Sequence, residues 1–330
     1  MTPESIRNTH TLGEPIQLGG QESQREELLL QAEGGVRAPG SQVAATAQRK
    51  YAESAASLRV ELERPVRSSH IVLTLGRSGS NTLVDMLNQN PALLNFGEVL
   101  GSWTQLRKVQ RRLGLLKIND SEYLDWILGS RTFLSTANVV RTLGKIRNRR
   151  WGEIKSVREI ESVGVKDFSL NLLASGLSGF LFARPGVKVV GLLRRNVIDR
   201  MISNETLEAT GLVKLRNCEA PNGQPKIYVA PRSVLEKLTK IEAENIQLIE
   251  MLDALPQDRV LRMEYEQIFS STEQTQEKAR QIYEFLGVRD YQPNVRMRKI
   301  LHTDPLLAVE NSEEIRRVIA DSRFEEYLRR

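Results

Sequence analysis

Cysteine and histidine are nearly missing from these 330 residues. Cys218 stands alone, which excludes an intrachain disulfide framework and any cysteine-cluster metal site. Only His10, His70 and His302 occur, too few for a zinc centre built on several histidines, and no metal is expected. No apolar run approaches the ~18 residues of an ordinary membrane span. The opening "MTPESIRNTHTLGEP" lacks the basic head and apolar stretch of a secretory signal. A cytoplasmic protein is therefore expected. A large charge excess is also missing: 47 Lys and Arg against 41 Asp and Glu leave +6. That modest balance suits an anionic ligand without indicating nucleic acid. The basic strings at 107–112 and 141–150 lack the interleaved aromatics of a single-strand platform, so no nucleic-acid partner is expected.

What is present is enough to build a core. Hydrophobic residues make up 40% and charged residues 27%, an ordinary soluble composition, and the length allows one large or two small domains. Residues 1–66 read as a polar, partly helical N-terminal extension, with helical stretches at 23–33 and 43–63 that Pro65 stops. The extension is too short and polar to bury its own core. From 67 to 330 strand-like and helix-like strings alternate. The expected strands are "SHIVLTL" (69–75), "ALLNF" (92–96), "SVGVKDF" (162–168), "VKVVGLL" (187–193) and "RVLRMEY" (259–265). Helices are expected at 196–209, 231–254 and 273–286, with a mostly helical insertion at about 99–160. Short continuous apolar strands separated by helices predict an α/β fold, a central parallel sheet flanked by helices.

The sharpest local string is "LTLGRSGSNTLVDML" (73–87). A buried strand runs into a Gly/Ser turn and then a helix, which aims backbone N–H groups and the positive end of the helix at one point. Gly76 and Gly79 permit unusual backbone angles, Arg77 adds a fixed charge, and Ser78, Ser80, Asn81 and Thr82 add hydrogen-bonding side chains. The bland alternative is a strand–turn–helix junction capped by serine. Neither GxxxxGK[ST] nor GxGxxG is present, so the phosphate chain of magnesium ATP is not the expected ligand. A second charged strand end, "KVVGLLRRNVIDRMISNE" (188–205), leads into another helix; there Asp199 could simply pair with Arg195.

Together these strings resemble the PAPS-dependent sulfotransferases, where PAPS is 3′-phosphoadenosine 5′-phosphosulfate. Arg195, Asn196, Asp199 and Ser203 match the family's RNxxDxxxS motif in register, with Val197 in place of its usual proline. The string "GRSGSNT" resembles the 5′-phosphosulfate loop in its bacterial and carbohydrate-sulfotransferase form, with Asn81 where Thr or Ser is usual. "LRMEYEQIF", "IYEFLGV" and the closing "VENSEEIRRVIADSRFEEYLR" resemble later family stretches in the right order, with Ser322 replacing a threonine. The resemblance spans about 68–330 and implies a P-loop NTPase-like sulfotransferase fold.

It also implies roles. Gly76, Arg77, Ser78, Gly79, Ser80, Asn81 and Thr82 would hold the 5′-phosphosulfate of PAPS, and Arg77 would stabilise the leaving oxygen. Arg195 and Ser203 would bind the 3′-phosphate, and the product would be PAP. Arg296, Arg298 and Lys299 fall where the family places a cofactor flap; a solvated charged face is the alternative. Glu98, in "LNFGEVL", resembles the general base of several bacterial members, although it could instead cap a helix or pair with the basic insertion. Lys166, in "GVKDF", resembles a family "GxK" segment and could act in catalysis, or could form a buried local pair with Asp167. The expected acceptor is a hydroxyl on a small molecule, glycan or lipid, with no metal required. A P-loop-type nucleotide or small-molecule kinase and a non-catalytic anion- or nucleic-acid-binding protein are the competing readings.

Overall fold

The computed structural model describes residues 68–113, 118–211, 215–216, 226–298 and 304–328. The extension 1–66 with its two expected helices, and Lys299 and His302, lie outside the described residues, as do the side chains of 111–113, 215–216 and 297–298. All described residues belong to one unit, Glu61–Arg330.

β1 (Ser68–Thr74) leads through the glycine loop into α1 (Ser80–Leu87) and β2 (Leu93–Asn95). The insertion is helical, as its composition predicts: α2 (Gln105–Leu113), α3 (Asp120–Gly129) and α4 (Arg131–Arg147). Asn119 opens α3 with a capping box, its side chain accepting from Glu122 N while the Glu122 carboxylate takes the Asn119 amide. Then come β3 (Ser162–Phe168), the short α5 (Ser169–Ala174) and α6 (Phe180–Ala183), β4 (Val187–Leu193) and α7 (Val197–Thr210). The remainder is β5 (Leu215–Arg216), α8 (Pro231–Asp253), β6 (Val260–Glu264), α9 (Tyr265–Ile268), α10 (Thr272–Leu286), β7 (Met297–Arg298) and α11 (Ser312–Ala320).

The main sheet has the order β2-β3-β1-β4-β6, and every pairing in it is parallel. β1 and β4 lie side by side, so the two charged strings leave the same edge, at the C-terminal ends of adjacent strands. That edge is where open α/β sheets place their ligands. Alternation along the strands splits the core in two. Ile71 and Leu73 face a cluster with Val165, Val189 and the long helix α8 (Leu248, Leu252). Val72 faces the other layer, with Leu83, Met86 and Leu87 of α1 and Ile282 and Tyr283 of α10. A third cluster packs α7 against α8 and α11. The antiparallel pair β5–β7, each strand two residues long, is not among the expected strands. Among the described residues no helix is long and apolar enough to cross a membrane.

His70 is fully buried near the start of β1, at the end of the strand away from the loop. Its ring lies over Gly164, where an added Cβ would sit 2.2 Å from Nε2, so only glycine fits there. It bonds Ser162 Oγ (2.9 Å) and Asn95 Nδ2 (3.2 Å), and burial pushes its pKa down to about 3. It is a neutral core residue.

Candidate active site

The loop between β1 and α1 owes its shape to two left-handed residues, Arg77 (φ 63°) and Gly79 (φ 77°). A Cβ on Gly79 would stand 2.7 Å from the Tyr265 ring and 2.9 Å from Phe269, so side-chain size as well as φ requires glycine. Ser78 is buried and points inward: its Oγ donates to Leu75 O at 2.8 Å and contacts Thr74 Oγ1, which itself donates to Leu192 O of β4 at 2.9 Å. Ser78 thus braces the turn. No side-chain hydrogen bond caps the N-terminus of α1, the end that carries the helix's partial positive charge.

Three arginines converge on this loop. Arg77 Nε donates to Ser203 Oγ at 2.9 Å, joining the first charged string to the second across 126 residues. Arg194 donates to Arg77 O (3.0 Å), pairs with Asp199 (3.2 Å) and lies 4.4 Å from the centre of the Tyr265 ring. Arg200 donates to Gly76 O at 2.9 Å, to Asn245 Oδ1 at 3.2 Å and to the Glu244 carboxylate. Burial, then the neighbouring Arg194, lowers the Arg77 pKa; burial is likewise the main cause for Arg200, with Arg194 adding and Glu244 opposing. Two guanidiniums therefore fix loop carbonyls, and a third projects from the loop onto Ser203.

Asp199 pairs with Arg194 rather than with Arg195, the partner that the sequence suggests. Arg195 instead turns outward, 70% exposed, with its Nε on Glu264 Oε1. Ser203 lies two helical turns beyond Arg195 and is held by Arg77. Asn196 caps α7, accepting from Asp199 N at 3.0 Å. Glu266 accepts from Arg195 N (3.3 Å) and Asn196 N (3.0 Å). This explains "MEYEQIF" locally: Glu264 holds Arg195, Tyr265 floors Gly79 and Arg194, Glu266 anchors the start of α7.

Glu98 follows β2 and pairs with Lys166, whose side chain is 2% exposed. Its other carboxylate oxygen accepts from Trp103 Nε1 at 2.9 Å. Lys166 and Asp167 alternate across β3 and do not meet. Lys166 Nζ also stands 4.7 Å from the Phe168 ring centre, while Asp167 accepts from Val99 N (3.0 Å) and Leu100 N (2.8 Å). Asp167 thereby fixes the segment that carries Glu98.

Asn81 and Arg296 lie elsewhere, lining a cavity on the flank of α1; Arg296 pairs with Glu153 at 2.9 Å. Arg298 has its backbone in β7, and its side chain lies outside the described set. Arg200, Glu244 and Asn245 are not among the site residues that the sequence points to. A usable signal exists: a charged residue inside the otherwise buried run 197–203 must have a buried partner.

The sequence matches no family model and no curated protein. Solved structures do match. One, from Alicyclobacillus acidocaldarius, has 16% identity and a TM-score of 0.41, covering 80% of this chain and 97% of that one. The second is a domain of the Synechococcus PCC 7002 olefin synthase, with 18% identity, a TM-score of 0.36, and 69% and 76% covered. A third, STF9 from Mycobacterium avium, has 14% identity and a TM-score of 0.33, with 82% and 72% covered. All three are sulfotransferases. At these values the likeness carries no functional weight, and function has to be read from the chain's own residues.

Proposed function

We propose that this protein transfers the sulfuryl group of PAPS to a hydroxyl of a sugar, lipid or small metabolite. The observation that carries the reading is the Arg77–Ser203 hydrogen bond. It unites a glycine loop lacking the Walker lysine with a helix bearing the 3′-phosphate motif. The loop suits the donor: the α1 N-terminus is uncapped, and Gly79 keeps the turn tight against Tyr265. The backbone N–H groups of 76–80, with Thr82, would hold the 5′-phosphosulfate, and Arg195 and Ser203 the 3′-phosphate; the Asn81 side chain lines the flank cavity instead. Ser203 accepts from Arg77, and its own hydroxyl proton remains to donate to a phosphate oxygen.

In the reaction the acceptor oxygen bonds to sulfur while the bond from sulfur to the 5′-phosphate oxygen breaks. Glu98 takes the acceptor proton, and Arg77 stabilises the charge left on PAP. Lys166 and Trp103 position Glu98. Each carboxylate oxygen has two lone pairs, so both contacts leave room for an acceptor hydroxyl.

Calorimetry with PAP and AMP tests the donor assignment. Arg195→Ala should weaken PAP far more than AMP, because only PAP carries the 3′-phosphate; an equal loss would contradict the assignment. For the base, Glu98→Gln should leave PAPS affinity nearly unchanged and slow single-turnover transfer by roughly 10²–10⁴-fold. A near-normal rate removes Glu98 from the chemistry.

A further inference from the structure

On the flank of α1, away from Arg77 and Ser203, lies a cavity of about 280 Å³. Its walls come from three places: α1 and the turn after it (Asn81, Val84, Asp85, Asn88, Gln89), the insertion (Arg141, Lys145, Arg150, Glu153) and Arg296 before β7. Asn81, in the first turn of α1, is the lining residue that the cavity shares with the 76–82 string. The charges are unbalanced. Lys145, Arg150 (2.5 Å) and Arg296 (2.9 Å) all converge on the single carboxylate of Glu153. Arg141 Nη1 is buried with no hydrogen-bond partner among the described residues. Four cations thus face the space against two acids, Glu153 and Asp85, and a buried donor is left over. Asp85, the other acid of the wall, is engaged by Gln89 at 3.3 Å. The excess positive potential registers on a neighbour: besides burial, Arg141 and Lys145 depress the pKa of Lys155.

We propose that this cavity is a second anion site, taking a tetrahedral oxyanion such as a sulfate or phosphate group, free or as the ester of a small molecule. A dianion would satisfy Arg141 Nη1 and relieve the three-to-one crowding on Glu153 through charge-assisted hydrogen bonds, which are the strong ones. Guanidinium forks suit such geometry. The size fits one oxyanion with a small organic group attached. Arg77, Arg195 and Ser203, which carry the donor reading, do not line the cavity, whereas Asn81 and Arg296, which the resemblance assigns to the cofactor, do.

The test is titration of the full chain by calorimetry with sodium sulfate, with glucose 6-sulfate, and with glucose plus sodium chloride at matched ionic strength. Both sulfates should bind and the control should not. Tighter binding of the ester marks a handle on a larger ligand, whereas equal binding marks a site for the free ion. Arg141→Met should weaken binding about tenfold or more, the scale of one lost charged hydrogen bond. Arg77→Ala removes any sulfate held at the glycine loop, and in that background the loss caused by Arg141→Met should persist. If Arg141→Met does not fold, two milder variants decide: Arg296→Ala should weaken sulfate and Glu153→Gln, which removes the competing carboxylate, should tighten it. Binding that survives Arg141→Met in the Arg77→Ala background, disappears in Arg77→Ala alone, or moves the same way in Arg296→Ala and Glu153→Gln overturns the proposal. Absence of sulfate binding to the wild type does the same.

Discussion

Two groups of cations flank α1 and solve the same electrostatic problem differently. At the glycine loop each buried guanidinium has its own acceptors: Arg194 has Asp199 and Arg77 O, Arg200 has Glu244, Asn245 and Gly76 O. At the flank three cations share Glu153. Arg141 Nη1 and Arg194 Nε are both buried without a hydrogen-bond partner among the described residues, so the contrast lies in how the acids are shared and not in a spare donor. A cation with an acid of its own is a strut that fixes backbone. A cation crowded onto a shared acid is charge held in reserve. Density of arginine alone does not distinguish the two; the count of acceptors does.

The largest effect expected from breaking this contrast is at Arg200. Arg200→Met would leave the Glu244 carboxylate and Gly76 O without their buried partner and should cost about 3–5 kcal/mol, the usual result of halving a buried ion pair. Chemical denaturation measures it, and pairing the change with Glu244→Met should recover most of the loss. A single-variant cost near zero would mean that Arg200 is not a strut. Next comes Gly79→Ala, which adds a Cβ at φ 77° against Tyr265 and Phe269. A cost of about 2–4 kcal/mol, read from the same denaturation curves, is expected from the left-handed strain and overpacking together.

A pH experiment sharpens the flank side. Lys155 donates to Asn90 O (2.7 Å) and Leu93 O, and burial first, then Arg141 and Lys145, bring its pKa down to about 7 from 10.5. Between those two values the unfolded chain holds a proton that the folded chain has released. Stability must therefore rise with pH over that window, and below about 7 this group contributes no slope. Denaturation midpoints taken from pH 6 to 10 should show the rising limb in the wild type and lose it in Lys155→Met. The smallest effect belongs to Arg195, whose side chain is 70% exposed beside Glu264. Arg195→Ala should shift stability by only about 0.5 kcal/mol, as for an exposed pair. Its consequence should fall on ligand discrimination instead.

Much of this architecture is visible in the amino-acid string. β4 occupies the run 187–193 that its nearly continuous apolar composition marks, because strands buried on both faces have little room for polar residues, and β3 occupies the expected 162–168 although it buries Lys166 and Asp167. The helix at 231–253 follows from its periodicity and Pro231 at its first turn. What stayed hidden was pairing at a distance. Arg194 and Arg195 are neighbours of one type, yet one turns in to Asp199 and the other turns out to Glu264. No local rule selects which. Lys166 and Asp167 look like a pair and are not, since adjacent strand residues face opposite ways. β5 and β7 are too short to leave a periodic signal. The partnership of Arg77 with Ser203 is suggested by the joint resemblance of two motifs, but the contact between them is a product of the β1–β4 pairing.

That loop also has a history within each molecule's synthesis. Gly76 leaves the ribosome 124 residues before Arg200, the side chain that secures its carbonyl. At about 5–20 residues per second the loop waits roughly 6–25 s for that partner. The earliest-made part of the sheet edge is thus among the last to be finished. A nascent chain stalled before α7 would carry the complete glycine string without the Arg200 strut that holds it.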